Sequence, residues 1–262
     1  MNNDANHNRI LYIFLGIAII GGIISYAHYV YTQQVRDPSG VMVSAYHSKK
    51  QALPTLLPVK AIVPFENQST HCPSSENDVV NFLSRVDIHS PVQYMVPANL
   101  VEISDILTTK DNRRVCLEAT TTWHAQYLFQ AAQDTGLSLV ITSGYRDEKT
   151  QQQLYIRAHH ADESYASIAH PWYSEHHLGT TIDITTESIN YASASHSFGI
   201  SPEGQWMRTH AHEYGFTMSY PSGKESITGY RYEPWHWRFV GIENATMLYE
   251  NNLTLTEFFA RE

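Results

Sequence analysis

The segment ILYIFLGIAIIGGIISYAHYVY, Ile10 to Tyr31, runs 22 residues without a Lys, Arg, Asp or Glu. At about 1.5 Å per residue a helix of that length reaches roughly 33 Å, enough for the hydrocarbon core of a bilayer. Such a run does not suit the surface of a water-soluble domain, so it either spans a membrane or is removed. The first reading is a transmembrane signal anchor over residues 10–31, with residues 1–9 as a short cytoplasmic tail. The second is a cleaved signal peptide, with Arg9 in a short n-region, Leu11 to Ile24 as its apolar stretch and Ser25-Tyr26-Ala27 as a small-x-small cleavage site, giving a secreted protein. The apolar run continues past that site and little positive charge precedes it, which favours the anchor. Either way the remainder is expected on the extracytoplasmic side. Residues 32–68 read as a linker, because Pro38, Ser39, Gly40, Pro54, Pro58 and Pro64 interrupt any steady period.

Of the 262 residues, those beyond the linker suffice for one sizeable domain. A formal net charge of −9 and the lack of any basic stripe argue against a nucleic-acid partner. Cys72 and Cys116 fall after the linker, where in an oxidising compartment a disulfide would remove unfolded-state entropy worth about 4 kcal/mol; two separate buried thiols are the alternative. Neither lies in a CxxC motif that would suggest metal or catalysis.

From Glu118 to Gln133 the apolar residues Trp123, Tyr127, Leu128, Ala131 and Ala132 follow a helical period, and Gly136 marks its stop. LSLVIT, Leu137 to Thr142, reads as a strand leading into Ser143-Gly144-Tyr145-Arg146, after which Asp147 can cap a new helix. A further capped helix begins at Ser201-Pro202-Glu203 and stops at Gly215; strand-like FTMSY, the turn PSGK and a strand toward YEPWHWRFVG follow. Helices and strands without steady alternation imply an α+β fold.

Chemistry gathers in three places. In TIDIT the alternation sets Asp183 on the face opposite Ile182 and Ile184, so with those two in a core the carboxylate faces a cleft. In EPWHW, Glu233 and His236 lie three apart around a proline turn, close enough to share one site. His176 and His177 lie seven and six residues ahead of Asp183. Two imidazoles and one carboxylate are a normal ligand set for catalytic zinc, and a free carboxylate beside the remaining position would be a general base. The spacing by itself leaves buried structural polar residues as the competing reading.

SGYR followed by Gln151, then SEHHLGTTIDI, then GYRYEPWHWRFVG together resemble the ordered signature of the VanY-type D-alanyl-D-alanine carboxypeptidases, zinc peptidases of bacterial peptidoglycan. The similarity extends from about Asn81 to Gly241. It implies a Hedgehog/D-peptidase-like α+β fold, a small antiparallel sheet with packed helices and a zinc cleft, over a zinc carboxypeptidase domain at residues 69–262. It further implies one Zn2+ held by His176, Asp183 and His236, with Glu233 as base and Arg146, Gln151 and Ser174 binding substrate; Arg146 serves either the oxyanion or the terminal carboxylate. His177 would be a bystander, and Glu175, read as a strand neighbour facing the other way, would lie outside the ligand set. The implied partner is a peptidoglycan stem peptide ending in D-Ala-D-Ala, turned over by a monomer anchored in the bacterial cell membrane. Alternatives are L,D-carboxypeptidase or endopeptidase activity, or a non-catalytic zinc-containing binding module, against which the free Glu233 argues.

Two departures from the family pattern stand out. Ser219 occupies a position where many relatives carry arginine, which implies a cation missing from the cleft rim, and Thr180-Thr181 precede the ligand aspartate where small or apolar residues are usual. Trp235 and Trp237 flank His236 and could line the cleft or fill the core. The remaining histidines, His159, His160, His170, His196, His210 and His212 among them, are expected mostly at the surface or in packing.

Overall fold

Three residues from distant parts of the chain lie side by side across the sheet that organises this protein: Ser143 pairs with Asp183, and Asp183 with His236. The computed structural model describes residues 72–73, 75, 79–92, 96–103, 115–158 and 166–261, all within the unit Phe65–Glu262. The candidate anchor, its cleavage site, the linker, and His159 and His160 lie outside the described residues. Among the described residues no helix is long and apolar enough to cross a membrane.

Strands β1 (Leu100–Glu102) and β2 (Cys116–Glu118) form an antiparallel pair. Helix α1 (Ala119–Asp134) follows at once, its first turn capped by the Glu118 carboxylate, which accepts from Thr121 N–H at 2.9 Å. Its Ala125, Leu128, Phe129 and Ala132 recur at helical spacing and are buried in the main core. Gly136, at φ +84°, reverses the chain as expected of a helix stop. Strand β3 (Val140–Ser143) leads through Arg146 into α2 (Glu148–Ala158), where Asp147 Oδ1 accepts from Thr150 N–H at 2.8 Å. Then come β4 (Thr181–Thr185), α3 (Pro202–His210), β5 (Phe216–Met218), the short α4 (Glu225–Thr228), β6 (His236–Phe239), α5 (Ile242–Glu250) and α6 (Leu255–Phe259).

The four-stranded sheet has the order β3-β4-β6-β5 and every pairing is antiparallel. Alternation then divides it into two chemistries. Ile141, Ile182, Ile184, Trp237 and Phe239 enter the main core with Leu128, Phe198, Met207 and Phe216. The intervening Asp183 and His236 face the cleft side. Residues Glu175–Leu178, read from sequence as strand, form instead a 3-10 turn closed by Gly179 at φ +68°. That turn aims His176 and Glu175 into the interior, whereas a strand would have sent one of them outward. Cys72 and Cys116 are joined in a disulfide.

Candidate metal centre and cleft

His176 sits in the 3-10 turn, Asp183 at mid-β4 and His236 at the start of β6. Each offers one ligand atom, and the three atoms lie within 4.8 Å of one another, all buried. The hydrogen bonds around them fix which nitrogen faces inward. His176 Nδ1 donates to the Gly144 carbonyl at 2.6 Å, so the Nε2 lone pair points inward, where it lies 3.3 Å from Asp183 Oδ2 and accepts from Arg146 Nη2 at 2.9 Å, a bond that a metal at Nε2 would replace. His236 Nε2 donates to Glu175 Oε2 at 2.9 Å, and its Nδ1 lies 3.4 Å from Asp183 Oδ1 and 3.6 Å from Glu233 Oε2. Asp183 Oδ1 is buried without a hydrogen-bond partner among the described residues. A buried carboxylate oxygen without a donor, facing two imidazoles whose outer nitrogens are already bonded, suits a cation. The donor set, two imidazole nitrogens and one carboxylate oxygen, is that of a zinc site with a position left open.

The electrostatics agree. Burial and then the Arg146 guanidinium hold the His176 imidazole at about 4, so it is neutral at pH 7. Burial opposes ionisation of Asp183, but His176 and Arg146 outweigh it and hold the carboxyl well below the usual range. For His236 burial favours the neutral ring, yet the Asp183 and Glu175 carboxylates on either side overcome it and raise the ring to about 9, a proton for which a metal would compete. Burial pushes Glu233 up to about 8, with the His236 charge acting against it. An uncoordinated carboxyl near neutrality beside the ligands is the condition for a proton acceptor.

Around this centre lies a cleft of about 490 Å³ counted to its open mouth, lined by Arg146, Ser174, Tyr220, Tyr230 and Glu233 among others. Among the described residues, Arg146 is the only Lys or Arg that lines the cleft. Its Nε donates to Ser143 Oγ at 3.0 Å, Nη1 to Gln151 Oε1 at 3.3 Å, and Nη2 to Asp183 Oδ2 at 2.5 Å and His176 Nε2 at 2.9 Å. Gln151 is fully buried and absent from the lining; it braces Arg146 while its amide donates to the Ala169 carbonyl at 2.7 Å. Glycine is required at position 144, since a Cβ there would meet the Cys116 carbonyl at 2.6 Å and the Val115 side chain at 2.7 Å.

Several side chains do more than their sequence positions suggest. His177 stays out of the ligand cluster as expected, but it is buried, with Nδ1 donating to the Arg146 carbonyl at 2.7 Å and Nε2 accepting from Trp172 N–H at 3.0 Å. It therefore positions the turn that carries Arg146. Glu175 is not a ligand, yet it is buried against His236. Ser219 is no rim residue: it is 3% exposed and its Oγ donates to Glu175 Oε2 at 2.6 Å, so a missing rim cation is not what this substitution produces. Trp237 lies within β6 and belongs to the core, whereas Trp235 lies in the turn before the strand, outside its alternation, and lines the cleft. Arg238, which sequence reasoning passed over, is wholly buried and pairs with Glu175 Oε1 at 2.9 Å; its signal was the alternation of His236 and Arg238 with Trp237 and Phe239.

A three-ligand cluster with a free glutamate at the mouth of a sheet cleft is the arrangement of metal-dependent hydrolases. The family described as VanY: D-alanyl-D-alanine carboxypeptidase matches residues 114–242, and the chain belongs to that family. It is 35% identical over 151 residues to the D-alanyl-D-alanine carboxypeptidase of Enterococcus faecalis, an alignment covering 53% of this chain and 54% of that one. The chain thus spans about half the length of that relative. Among solved structures, the LdcB LD-carboxypeptidase superposes with a TM-score of 0.62 at 31% identity, over 69% of this chain and 86% of that one. The vancomycin-resistance D,D-pentapeptidase VanY of a VanB-type cassette, solved in complex with Zn(II), gives 0.55 at 29% identity, over 68% of this chain and 98% of that one.

Proposed function

We propose that the protein is a zinc-dependent D-alanyl-D-alanine carboxypeptidase that removes the terminal D-amino acid from peptidoglycan stem peptides. The observation that carries the reading is the triad His176, Asp183 and His236 with Glu233 3.6 Å from His236 and uncoordinated. A structural zinc site has no use for that carboxylate. His176 Nε2, Asp183 Oδ1 and His236 Nδ1 would hold one zinc ion per chain. When bound, zinc would supply Lewis acidity that polarises the scissile carbonyl and acidifies a water.

The chain's own residues supply the rest. Glu233 accepts a proton from the water as its oxygen bonds to the carbonyl carbon, and returns that proton to the amine nitrogen as the C–N bond breaks. The Glu233 carboxyl, raised by burial, would be brought back toward ionisation by a cation held at the triad, as its role as base requires. Arg146, already fixed by four hydrogen bonds, donates either to the oxygen on which charge develops or to the terminal carboxylate of the substrate. Ser174 offers a polar group at the same cleft wall.

An L,D-carboxypeptidase is the second reading, favoured by the similarity to LdcB. Mass spectrometry after incubation of the zinc-loaded protein with stem pentapeptide and tetrapeptide separates the two: loss of one D-alanine from the pentapeptide supports the first, and cleavage of the tetrapeptide alone supports the second. No cleavage of either would overturn both. The apolar segment 10–31 supports a single-pass anchor with the cleft on the extracytoplasmic side, where peptidoglycan lies, and the ligand set is complete within one chain.

A further inference from the structure

Glu175 takes three hydrogen bonds in the interior. Oε2 accepts from His236 Nε2 at 2.9 Å and from Ser219 Oγ at 2.6 Å, and Oε1 accepts from Arg238 Nη1 at 2.9 Å. Arg238 in turn donates through Nη2 to the carbonyls of Phe82 at 3.1 Å and Ser84 at 2.6 Å. Those two carbonyls precede the family-matched stretch 114–242. Their segment is held against the 3-10 turn by the packing of Val86 and Val92 on Leu178, and by Val92 N–H donating to the Trp172 carbonyl at 2.7 Å.

We propose that Glu175 is the positioning residue that makes His236 a metal ligand through Nδ1, with Arg238 and the carbonyls of Phe82 and Ser84 holding the Glu175 carboxylate in place. The proposal rests on the reading of the triad as a zinc site. A neutral imidazole has one N–H and one lone pair, and a carboxylate only accepts. Glu175 therefore keeps the proton on Nε2 and turns the Nδ1 lone pair toward Asp183. Three donors, from His236, Ser219 and Arg238, converge on the Glu175 carboxylate, and one of them is a wholly buried guanidinium, so the group is arranged to accept.

An amide cannot replace it. In Glu175→Gln one oxygen must serve donors on both sides. Turning that oxygen to His236 sets the NH2 against a wholly buried guanidinium, the costlier clash. Turning it to Arg238 sets the NH2 against His236 Nε2, which then becomes an acceptor and moves the ring proton to Nδ1, where the metal should bind.

The test measures zinc affinity of the full chain by chelator competition for wild type, Glu175→Gln and Ser219→Ala. Glu175→Gln should bind zinc about 10- to 100-fold more weakly, as for other partners of ligating histidines. Ser219→Ala should stay near wild type, because the carboxylate keeps both His236 and Arg238. Nitrogen-15 NMR of the zinc-loaded wild type should show His236 coordinated through Nδ1 with its proton on Nε2. Coordination through Nε2 would overturn the proposal whether or not any variant folds. So would wild-type zinc affinity in Glu175→Gln, or an equal loss in Ser219→Ala, which would point to packing. A wild type that binds no zinc would instead overturn the reading of the site, and this proposal with it.

Discussion

Amidating the terminal D-alanine of a stem pentapeptide removes one negative charge and leaves the scissile bond unchanged, which makes it a direct probe of Arg146. That guanidinium is held by Ser143, Gln151, His176 and Asp183, and its side chain is 16% exposed. It is therefore ordered before substrate arrives, and little further entropy is lost when it meets a carboxylate. A hydrogen bond to a charged group contributes about 1.5–3 kcal/mol, and pre-ordering in a largely buried cleft places this one near the upper end. At about 1.4 kcal/mol per factor of ten, kcat/KM for the amide should fall on the order of 100-fold. Arg146→Ala should cost a similar factor on the free acid and little more on the amide, because the two changes delete one interaction. Zinc content measured alongside keeps loss of metal apart from loss of recognition, since Arg146 also touches Asp183. Were Arg146 to serve the oxyanion, Arg146→Ala would lower kcat equally on both substrates. If wild type cut the amide as fast as the acid, recognition of a chain end would be refuted and endopeptidase action would take its place.

Glu233→Gln should retain zinc and fold while losing about 100-fold or more in kcat, whereas His236→Ala should lose zinc too; metal analysis beside turnover assays separates them. Glu175, held at about 2 against an ordinary 4.5, contributes stability that is fully present above 4.5 and lost as pH falls through 2. Its lowered value corresponds to about 3 kcal/mol at neutral pH, so urea midpoints measured with chelator present should drop across that window in wild type and less in Glu175→Gln. Reducing the Cys72–Cys116 bridge, which joins residues 44 apart, should lower stability by about 4 kcal/mol in denaturant titrations; an unchanged midpoint would count against it. Gly144→Ala should reduce zinc content and activity together, because the new Cβ meets the Cys116 carbonyl and displaces both the turn that carries Arg146 and the carbonyl that orients His176; metal analysis showing full zinc content would count against this.

Local chemistry is what the sequence could express by itself. Apolar periodicity located α1, the Asp147 and Ser201 caps located the starts of α2 and α3, and strand alternation assigned Asp183 to the face opposite Ile182 and Ile184. Each of those signals depends on neighbours within a turn or a strand. Residue types and spacing also brought His176, Asp183, Glu233 and His236 together as candidates, while for the two cysteines after the linker the sequence left a disulfide and separate buried thiols both open, and the fold joined them. Tertiary structure alone decided how they meet. The register that pairs Asp183 with His236 joins residues far apart in the chain, and no local period encodes it. The 3-10 turn in place of a strand sent Glu175 inward, so a residue taken for an onlooker became the acceptor for His236, Arg238 and Ser219. His177, Ser219 and Arg238 acquired their partners in the same way. A buried polar group must find its hydrogen bonds wherever the fold brings donors and acceptors together, and those partners come from segments that only packing makes adjacent.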